Sequence, residues 1–329
     1  MQHLAGAKPP VQPMLSALFL ASFLTFVELN CENLFDCRHD SLKEDTEFLP
    51  QFVRHWTPNR YRRKLDAIGR AIISCCDDSA NFGFPDIVVL CEVENDSVMC
   101  DLTRRSLLRN LRYDYIMTDS PDRRGIDVAV MYHTFSFLPI RHWPLRTEPV
   151  KGMRPTRDIL YVAGSTAQGD TLHLFAVHAP SRYGGEIHSR PYRMAVAERL
   201  CKAVDSLLCV SPEARIIVAG DFNAYTGERS LDYITAHGLT DVTAGAVGSH
   251  GARGTYCYDG WWQSLDHVFV SVAMLPFVHT AFVNDAPFLL ERDSRYGGWK
   301  PRRTYLGKRY QTGGTSDHLP LVVKFRTGE

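Results

Sequence analysis

The chain has 329 residues, enough for one large domain or two ordinary ones, and 45% of them are hydrophobic, enough for a substantial core. Lysine and arginine together number 37, as do aspartate and glutamate. This balance excludes a global basic field that would hold nucleic acid nonspecifically, although it allows a local basic cleft. The nine cysteines have no CxxC spacing, which argues against a disulfide framework or a structural zinc site and favours a reducing, cytoplasmic compartment.

The apolar N-terminus is open to two interpretations. Residues 14–27, MLSALFLASFLTFV, resemble the apolar part of an export signal, which would place the protein in an exported or periplasmic location. The same residues lead directly into the first predicted strand without an A-x-A cleavage site, as a simple apolar strand or helix would. The stretch is too short for a transmembrane helix, and no stable membrane association is expected.

The remaining sequence predicts many strands and a few long helices. Helical spacing of apolar residues covers 60–76 and 189–209, and a further helix is predicted around Val98–Leu111. Hairpin-like spacing between several strands favours antiparallel or mixed sheets in an α/β sandwich. Residues 244–262 and 284–315 are predicted to be irregular. The predicted strands are LTFVELN (24–30), DIVVLCE (86–92), GIDVAVMY (125–132), ILYVAGS (159–165), TLHLFAVH (171–178), RIIVAGD (215–221), DHVFVS (266–271) and LPLVVKF (319–325).

Polar side chains stand at the ends of these strands, where a sheet exposes its rim. They are Glu92 in VVLCEVEND, Asp221 and Asn223 in IIVAGDFNA, Asp266 in SLDHVFVS, and Asp317 and His318 in GGTSDHLPL. Carboxylates clustered at one rim repel one another unless a cation lies among them. Hard oxygen ligands without a Cys/His cluster indicate Mg²⁺, with Mn²⁺ or Ca²⁺ as alternatives. The pattern predicts a metal-dependent hydrolase.

At two strand ends the sequence does not decide which residue binds the metal, or whether the residue there binds it at all. Glu92 interrupts an apolar run and needs a partner, for which a cation is the simplest choice. Glu94 would lie on the same face, so spacing does not decide between them. Asn30 ends the first strand and is interpreted either as a contact to metal or phosphate or as a partner for backbone groups.

Three further motifs have a structural alternative beside the functional one. The GDFN motif places Asp221 near a metal and Asn223 near a phosphate oxygen or the attacking water, or it forms a simple turn. Asp266 orients a histidine, as triad carboxylates do, or is an exposed residue at a strand start. His318 offers an imidazole for proton exchange beside Asp317, or both belong to a turn before the last strand.

The segment HAPSRYGGEIHSRP is the richest loop. His178 closes a strand, and Arg182 and Arg190 flank a glycine turn, where guanidinium groups suit a phosphate. Together with the basic-aromatic segment 300–310 and the pair Trp261-Trp262, these arginines favour a phosphodiester in DNA or RNA. Charge neutrality and the export-like segment favour small phosphorylated molecules or lipid head groups instead. A catalytically silent binding module is the third alternative, and no protein partner is implied.

In their order along the chain, these motifs resemble the endonuclease/exonuclease/phosphatase family. The resemblance is carried by Asn30, Glu92, His178, GDFN at 220–223, Asp266 and SDH at 316–318, and it extends over nearly the whole chain. It implies a single domain over 24–327, preceded by the apolar segment 1–23. The implied fold is a four-layered α/β/β/α sandwich, in which two sheets pack face to face with helices outside.

The resemblance also implies roles for the matching residues. Glu92 would be the principal Mg²⁺ ligand, with Asn30 and Asp317 nearby on metal or phosphate. His318 would be the catalytic histidine, oriented by Asp266, while Asp221 aligns or deprotonates the attacking water. Asn223 would bind the scissile phosphate, and His178 would be a phosphate binder or general acid. LCE replaces the usual LQE around Glu92, and HAPSRYGG is more typical of an uncharacterised bacterial branch, so DNA-repair specificity is not implied.

Overall fold

The computed structural model describes residues 23–78 and 81–327. The apolar segment 1–23 therefore lies, except for its last residue, outside the described residues. Within the described ranges, no helix is long and apolar enough to cross a membrane. All nine cysteines fall within these ranges, and none of them forms a disulfide bond there.

Two six-stranded sheets contain all eight predicted strands and four additional ones. Four short hairpins complete the strand inventory. In chain order the strands are β1 (Phe23–Leu34), β2 (Asp77–Asp78), β3 (Asn81–Phe82), β4 (Ile87–Val93), β5 (Tyr113–Met117), β6 (Asp127–His133), β7 (Phe137–Leu145), β8 (Ile159–Thr166), β9 (Thr171–His178), β10 (Arg215–Asp221), β11 (Leu239–Asp241), β12 (Tyr256–Tyr258), β13 (Trp261–Gln263), β14 (Asp266–Ser271), β15 (Val278–Val283), β16 (Leu290–Arg292), β17 (Trp299–Pro301), β18 (Tyr305–Leu306), β19 (Arg309–Tyr310) and β20 (Leu321–Arg326).

Both sheets are mixed. The first has the order β15-β20-β1-β4-β6-β5 and the second the order β11-β14-β10-β9-β8-β7. The pairs β1/β4 and β9/β10 are parallel, whereas β20 and β14, which flank them, run antiparallel. Parallel strands end at the same edge of a sheet, and an antiparallel neighbour begins there. The carboxyl ends of β1, β4, β9 and β10 therefore meet the starts of β14 and β20 at one rim.

Helices cover the outer faces of the two sheets. They are α1 (Pro58–Ile73), α2 (Asp96–Arg105), α3 (Glu186–Val210) and α4 (Arg229–Ala236), and single 3-10 turns or short 3-10 helices occupy 46–48, 74–76, 272–277 and 287–289. Thr57 caps α1, and the buried stripe of Leu65, Ile68 and Ile72 packs in the same core as the first sheet. On the other side, Leu200 and other apolar residues of α3 pack on the outer face of the second sheet. The four-layered α/β sandwich is confirmed.

The inner faces of the sheets form the main core, because β1 contacts β10 and β14 while β4 contacts β9 and β10. Phe26, Ala219 and Val268 are all buried in this layer. Burial of such continuous apolar strands is the main stabilising term of the fold. This packing also brings the rims of the two sheets together, since Asn30 of β1 donates a hydrogen bond to Asp221 of β10.

Some local predictions were inaccurate. The helix predicted at Val98–Leu111 is Asp96–Arg105; it starts where the Asn95 side chain accepts a hydrogen bond from the Val98 amide at 2.9 Å. The two stretches predicted to be irregular contain the hairpins β12–β13, β16–β17 and β18–β19. Strands of two or three residues are too short for an alternating pattern to be visible in the sequence.

Candidate functional site

Strand register places three predicted residues side by side in the second sheet. Asp221, the last residue of β10, pairs with His178 of β9 on one side and with Asp266 of β14 on the other. Gly220 makes this close pairing possible, since a Cβ atom there would lie 1.8 Å from the carbonyl oxygen of Val177. The glycine of the GDFN motif thus serves strand packing, while the following aspartate faces the site.

In the first sheet, distorted backbone at two strand ends sets the directions of the candidate metal ligands. Glu92 has a left-handed φ of 61° where β4 changes register, and Asn33 has a φ of 59° where β1 changes register after Asn30. Such bulges re-aim side chains and are common next to active sites. Glu94 instead accepts a hydrogen bond from the Asp36 amide at 2.7 Å. The bulge therefore separates the two glutamates, and it is Glu92 that lies beside His178.

His318 and Asp266 form a buried imidazole–carboxylate pair. The Nδ1 atom of His318 lies 2.7 Å from Oδ2 of Asp266, and the same oxygen accepts a hydrogen bond from the Thr255 hydroxyl. Burial alone lowers the pKa of His318, but the charge and hydrogen bond of Asp266 and the charge of Asp221 outweigh it, so the net pKa is well above the usual value. The protonated form of the imidazole is accordingly favoured, and Asp266 holds the ring through its Nδ1 atom.

Asp221 is the second titratable group of the site. Its Oδ2 atom accepts a hydrogen bond from the Asn30 side-chain amide at 3.0 Å, and its Oδ1 atom accepts one from the Asn223 backbone amide at 2.8 Å. Burial raises its pKa to about 7, although the His318 charge works in the opposite direction. Side-chain atoms of Asp221, Asp266 and His318 lie within 4.8 Å of one another. A carboxylate with such a pKa can take up and release a proton near neutral pH.

His178 lies near one carboxylate of each sheet, Glu92 of the first and Asp221 of the second. Its Nε2 atom lies 3.7 Å from Oδ2 of Asp221 and 3.9 Å from Oε1 of Glu92. Burial, and then the nearby guanidinium of Arg157, hold the pKa of His178 well below the usual value. It is therefore neutral, which suits hydrogen bonding to a phosphate oxygen and does not suit a general acid.

The donor set fits a hard divalent cation. Glu92 and Asn30 carry carboxylate and amide oxygens on adjacent parallel strands, and the side-chain amide of Asn30 donates to Asp221. The Asn30 oxygen also accepts a hydrogen bond from the Glu32 backbone amide at 2.9 Å, which leaves it one further lone pair. Oxygen donors of this kind are those preferred by Mg²⁺. The trio of Asp221, Asp266 and His318 is a weaker candidate for holding the ion, because Asp266 already binds His318 and Thr255. The carboxylates of Asp221 and Asp266 lie close enough to repel each other, and a cation beside them relieves that repulsion.

Three predicted residues are engaged elsewhere. Asp317 forms a 2.6 Å ion pair with Arg303, so a guanidinium already neutralises its charge. Arg182 binds Glu228 and Glu186, and Arg190 binds Glu186 on the exposed surface of α3. Both arginines are thus paired with carboxylates, and Arg182 also donates to the backbone carbonyl of Asn223 at 3.4 Å, so it lies next to the GDFN motif. Asn223, in contrast, has a left-handed φ of 50° beside Asp221, with its side-chain amide donating to the Ala179 carbonyl.

Several ionisable residues of the site were not predicted from the sequence. Glu28 is completely buried beneath the rim; burial and then the charges of Asp266 and Asp221 raise its pKa well above the usual value. Its position inside the apolar run LTFVELN was the available signal. Arg124 lies 3.9 Å from Glu92, and buried Arg157 donates to the carbonyl of Ala179 at 2.7 Å. No local pattern distinguishes these two from other arginines.

A second set of residues that the sequence did not predict is a buried network of ion pairs next to the rim. Lys64 in α1 is fully buried and lies 3.8 Å from Glu32, which in turn lies 3.3 Å from Arg303. Lys64 also donates to the side chain of Thr304 and the carbonyl of Thr315. These contacts join α1, the end of β1 and residues 303–315 into one unit. His267 follows Asp266 in β14, but its ring binds Asp241 at 2.9 Å and the Ala224 carbonyl at 3.0 Å.

The fold is a four-layered α/β sandwich whose two sheets pack face to face. At one rim lie the Asp221 carboxyl, which can accept a proton, and the His318 imidazole, which Asp266 holds. Together these features define a hydrolytic enzyme of this fold class. A family model described as "Endonuclease/Exonuclease/phosphatase family" matches residues 25–327. The chain belongs to this family, as the order of its motifs predicted. No curated protein sequence matches the chain significantly.

Solved structures agree with this fold. An endonuclease/exonuclease/phosphatase family protein from Bacteroides thetaiotaomicron is similar with a TM-score of 0.62 and 18% identity, over 93% of this chain and 98% of that one. A mannosyl-6-phosphatase of the same organism gives a TM-score of 0.59 and 18% identity, over 92% and 100%. TDP2 from Caenorhabditis elegans gives 0.55 and 15%, over 93% and 75%. At such identities the likeness concerns the fold.

Proposed function

We propose that the protein is a Mg²⁺-dependent, nuclease-like phosphodiesterase that hydrolyses its substrate by in-line attack of water on phosphorus. The main support is the arrangement of Asp221, Asp266 and His318, in which one side-chain atom of each residue lies within 4.8 Å of the other two. It combines a carboxyl whose pKa is about 7 with an imidazole whose pKa is well above its usual value. One group can accept a proton near neutral pH while the other favours its protonated form, an arrangement that suits displacement at phosphorus by water.

Each residue has a role that follows from its contacts. Asp221 orients the attacking water and takes its proton, since its carboxyl titrates near pH 7. The His318 imidazolium, held by Asp266, faces the negative charge that develops on the phosphoryl oxygens. Neutral His178 and the Asn223 side chain donate hydrogen bonds to those oxygens. These preorganised donors cost no reorganisation when the charge develops.

Glu92 and Asn30 would hold the Mg²⁺ ion. When bound, the ion supplies Lewis-acid neutralisation of phosphate charge. Support comes from the all-oxygen donor set and from the bulge that aims Glu92 into the site. Mn²⁺ is expected to replace Mg²⁺, because it accepts the same ligands.

A phosphatase acting on small phosphorylated molecules is the second candidate. The specific observation in its favour is that Arg182, Arg190 and Arg303 all pair with carboxylates of the chain, so the charges of these three are not free to track a long polyanion. The fold neighbour described as a mannosyl-6-phosphatase is consistent with it. The neighbour TDP2 has a similar fold at lower similarity.

A substrate panel tests the proposal. Single-stranded oligonucleotide, bis(p-nitrophenyl) phosphate, mannose 6-phosphate, inositol phosphates and sphingomyelin would be assayed with Mg²⁺ and again with EDTA. We expect Mg²⁺-dependent cleavage of the diesters and loss of turnover in His318→Ala with the fold retained. Cleavage of monoesters alone would favour the phosphatase, activity unaffected by EDTA would refute the metal dependence, and no turnover at all would favour a binding module.

A further inference from the structure

The hairpin β12–β13 lies directly beside the catalytic histidine. Tyr256 in β12 forms an isolated antiparallel bridge with His318, and the two ring centroids are 5.0 Å apart. The charges of Asp317 and Arg303 both act on the Tyr256 hydroxyl. The first residue of the hairpin is therefore part of the rim, and the rest of the hairpin extends from it.

One face of this hairpin carries a row of aromatic side chains. Tyr256 pairs with Gln263 across the hairpin, and Tyr258 pairs with Trp261. Residues two apart on a strand share a face, so these four side chains lie on the same side, with about 7 Å between Tyr256 and Tyr258 along the strand. Trp262 is on the other side, partly buried against the main core. We call Tyr256, Tyr258 and Trp261 the aromatic face.

The outer part of the aromatic face is strongly exposed. Tyr258 is 63% and Trp261 is 77% exposed. Within the described part of the chain, no ring contact or side-chain hydrogen bond involves either residue, although they are directly opposite each other on the hairpin. An aromatic cross-strand pair that served only to stabilise the hairpin would be expected to pack ring against ring.

The turn of the hairpin does not depend on these aromatic side chains. Asp259 and Gly260 form the two-residue connection with φ values of 48° and 81°, and Asp-Gly is the preferred sequence for such a turn. Trp262 anchors the opposite side of the hairpin in the core. The hairpin therefore has its own stabilising contacts, and two large exposed rings remain to be explained.

We propose that the aromatic face binds a nucleobase of the substrate, attached through its sugar to the phosphate that reacts at His318. This inference rests on the proposed phosphodiesterase function. A base lies one sugar ring away from its phosphate, and the aromatic face starts at the catalytic imidazole and continues outward. Base stacking on exposed tyrosine and tryptophan is sequence-tolerant, because every base has a flat π-face.

The composition of the aromatic face favours a base over a sugar or a duplex. Gln263 is the only polar side chain that strand pairing places on this face, whereas recognition of a bare sugar relies on several hydrogen bonds to its hydroxyl groups. One nearby cation is also engaged, since Lys300 lies within 3.8 Å of Glu291 and within 3.7 Å of Asp293. A duplex requires many free cations along its backbone. The expected ligand is one unpaired nucleotide or a short single strand.

Binding of reaction products tests the aromatic face without depending on turnover. Thymidine 5′-monophosphate and deoxyribose 5-phosphate would be titrated by calorimetry in Mg²⁺ into the wild-type protein and into Trp261→Ala, Trp261→Phe and Trp143→Ala. Trp143 is the control: it is 43% exposed on β7 at the edge of the second sheet, where its ring packs against Tyr161. We expect the wild type to bind the nucleotide about 10-fold more tightly than the sugar phosphate, as stacking of one base implies. Trp261→Ala should remove this difference, while Trp261→Phe and Trp143→Ala should keep most of it.

Equal dissociation constants for the two ligands in the wild type would overturn the inference, as would a difference that Trp261→Ala leaves unchanged. A merely structural tryptophan would lower the melting temperature without altering the ratio of the two constants. Failure to hydrolyse any diester would refute the proposed function and leave the ratio measurable. If diesters are hydrolysed, Trp261→Ala should raise KM for a dinucleotide with kcat nearly unchanged, and should leave KM for its base-free analogue as in the wild type.

Discussion

Replacing Asp266 with asparagine isolates the electrostatic contribution of the imidazole–carboxylate pair. The change keeps the size of the side chain and removes its charge at an atom 2.7 Å from Nδ1 of His318. The asparagine carbonyl can still accept the hydrogen bond from Thr255. The fold is expected to tolerate the substitution, because Asp266 lies near the carboxyls of Glu28 and Asp221 and its removal relieves their repulsion.

The magnitude follows from Coulomb's law. With the charge centres of Asp266 and His318 about 4 Å apart and an effective dielectric constant of about 20, their attraction is about 4 kcal/mol. One factor of ten in rate corresponds to about 1.4 kcal/mol, so loss of this attraction predicts a fall in kcat of about a thousandfold. The pKa of His318 should fall at the same time, because the main group that raises it is gone.

Steady-state hydrolysis of bis(p-nitrophenyl) phosphate with saturating Mg²⁺ measures the loss of kcat, and thermal unfolding measures the fold. Asp285→Asn is a suitable control, since Asp285 is a buried carboxylate that binds loop amides outside the acidic cluster. A variant of Asp266 with nearly wild-type kcat and an unchanged melting temperature would refute the role given to this pair.

Three more outcomes are expected. Glu92→Gln should raise the Mg²⁺ concentration needed for half-maximal activity by more than about 10-fold, because loss of even an indirect partner in a metal site typically costs that much affinity. Glu94→Gln should leave this concentration unchanged. Equal Mg²⁺ titrations of the two variants would contradict the assignment of Glu92. Lys64→Met should lower the free energy of unfolding by about 3 kcal/mol, because the buried Glu32 carboxylate then keeps only Arg303 as a cationic partner. An unchanged urea midpoint of unfolding would contradict this. Since the raised pKa of Asp221 is about 7, the base is protonated below that pH, and kcat/KM should rise with pH through about 7; a flat profile would speak against its role.

The sequence predicted the strands at the rim with good accuracy. TLHLFAVH, RIIVAGD and DHVFVS coincide with β9, β10 and β14, because these strands are buried on both faces and read as continuous β-branched runs. Strand β7 was missed, since its pattern is broken by Pro139 and Pro144 and most of it is exposed. Edge strands of this kind tolerate proline and carry little hydrophobic signal.

The sequence by itself determined which side chains stand at strand ends, and it predicted that their carboxylates cluster at one rim; the order of β9, β10 and β14 then set His178 and Asp266 on either side of Asp221. Only the tertiary structure decided that Glu92 rather than Glu94 faces the site, because a bulge in β4 reverses the simple alternation. It also decided that Asp317 pairs with Arg303 and that Lys64 meets Thr304, 240 residues further along the chain. Strand-end positions follow from local hydrophobic patterns, whereas such ion pairs and bulges depend on which distant segments pack together.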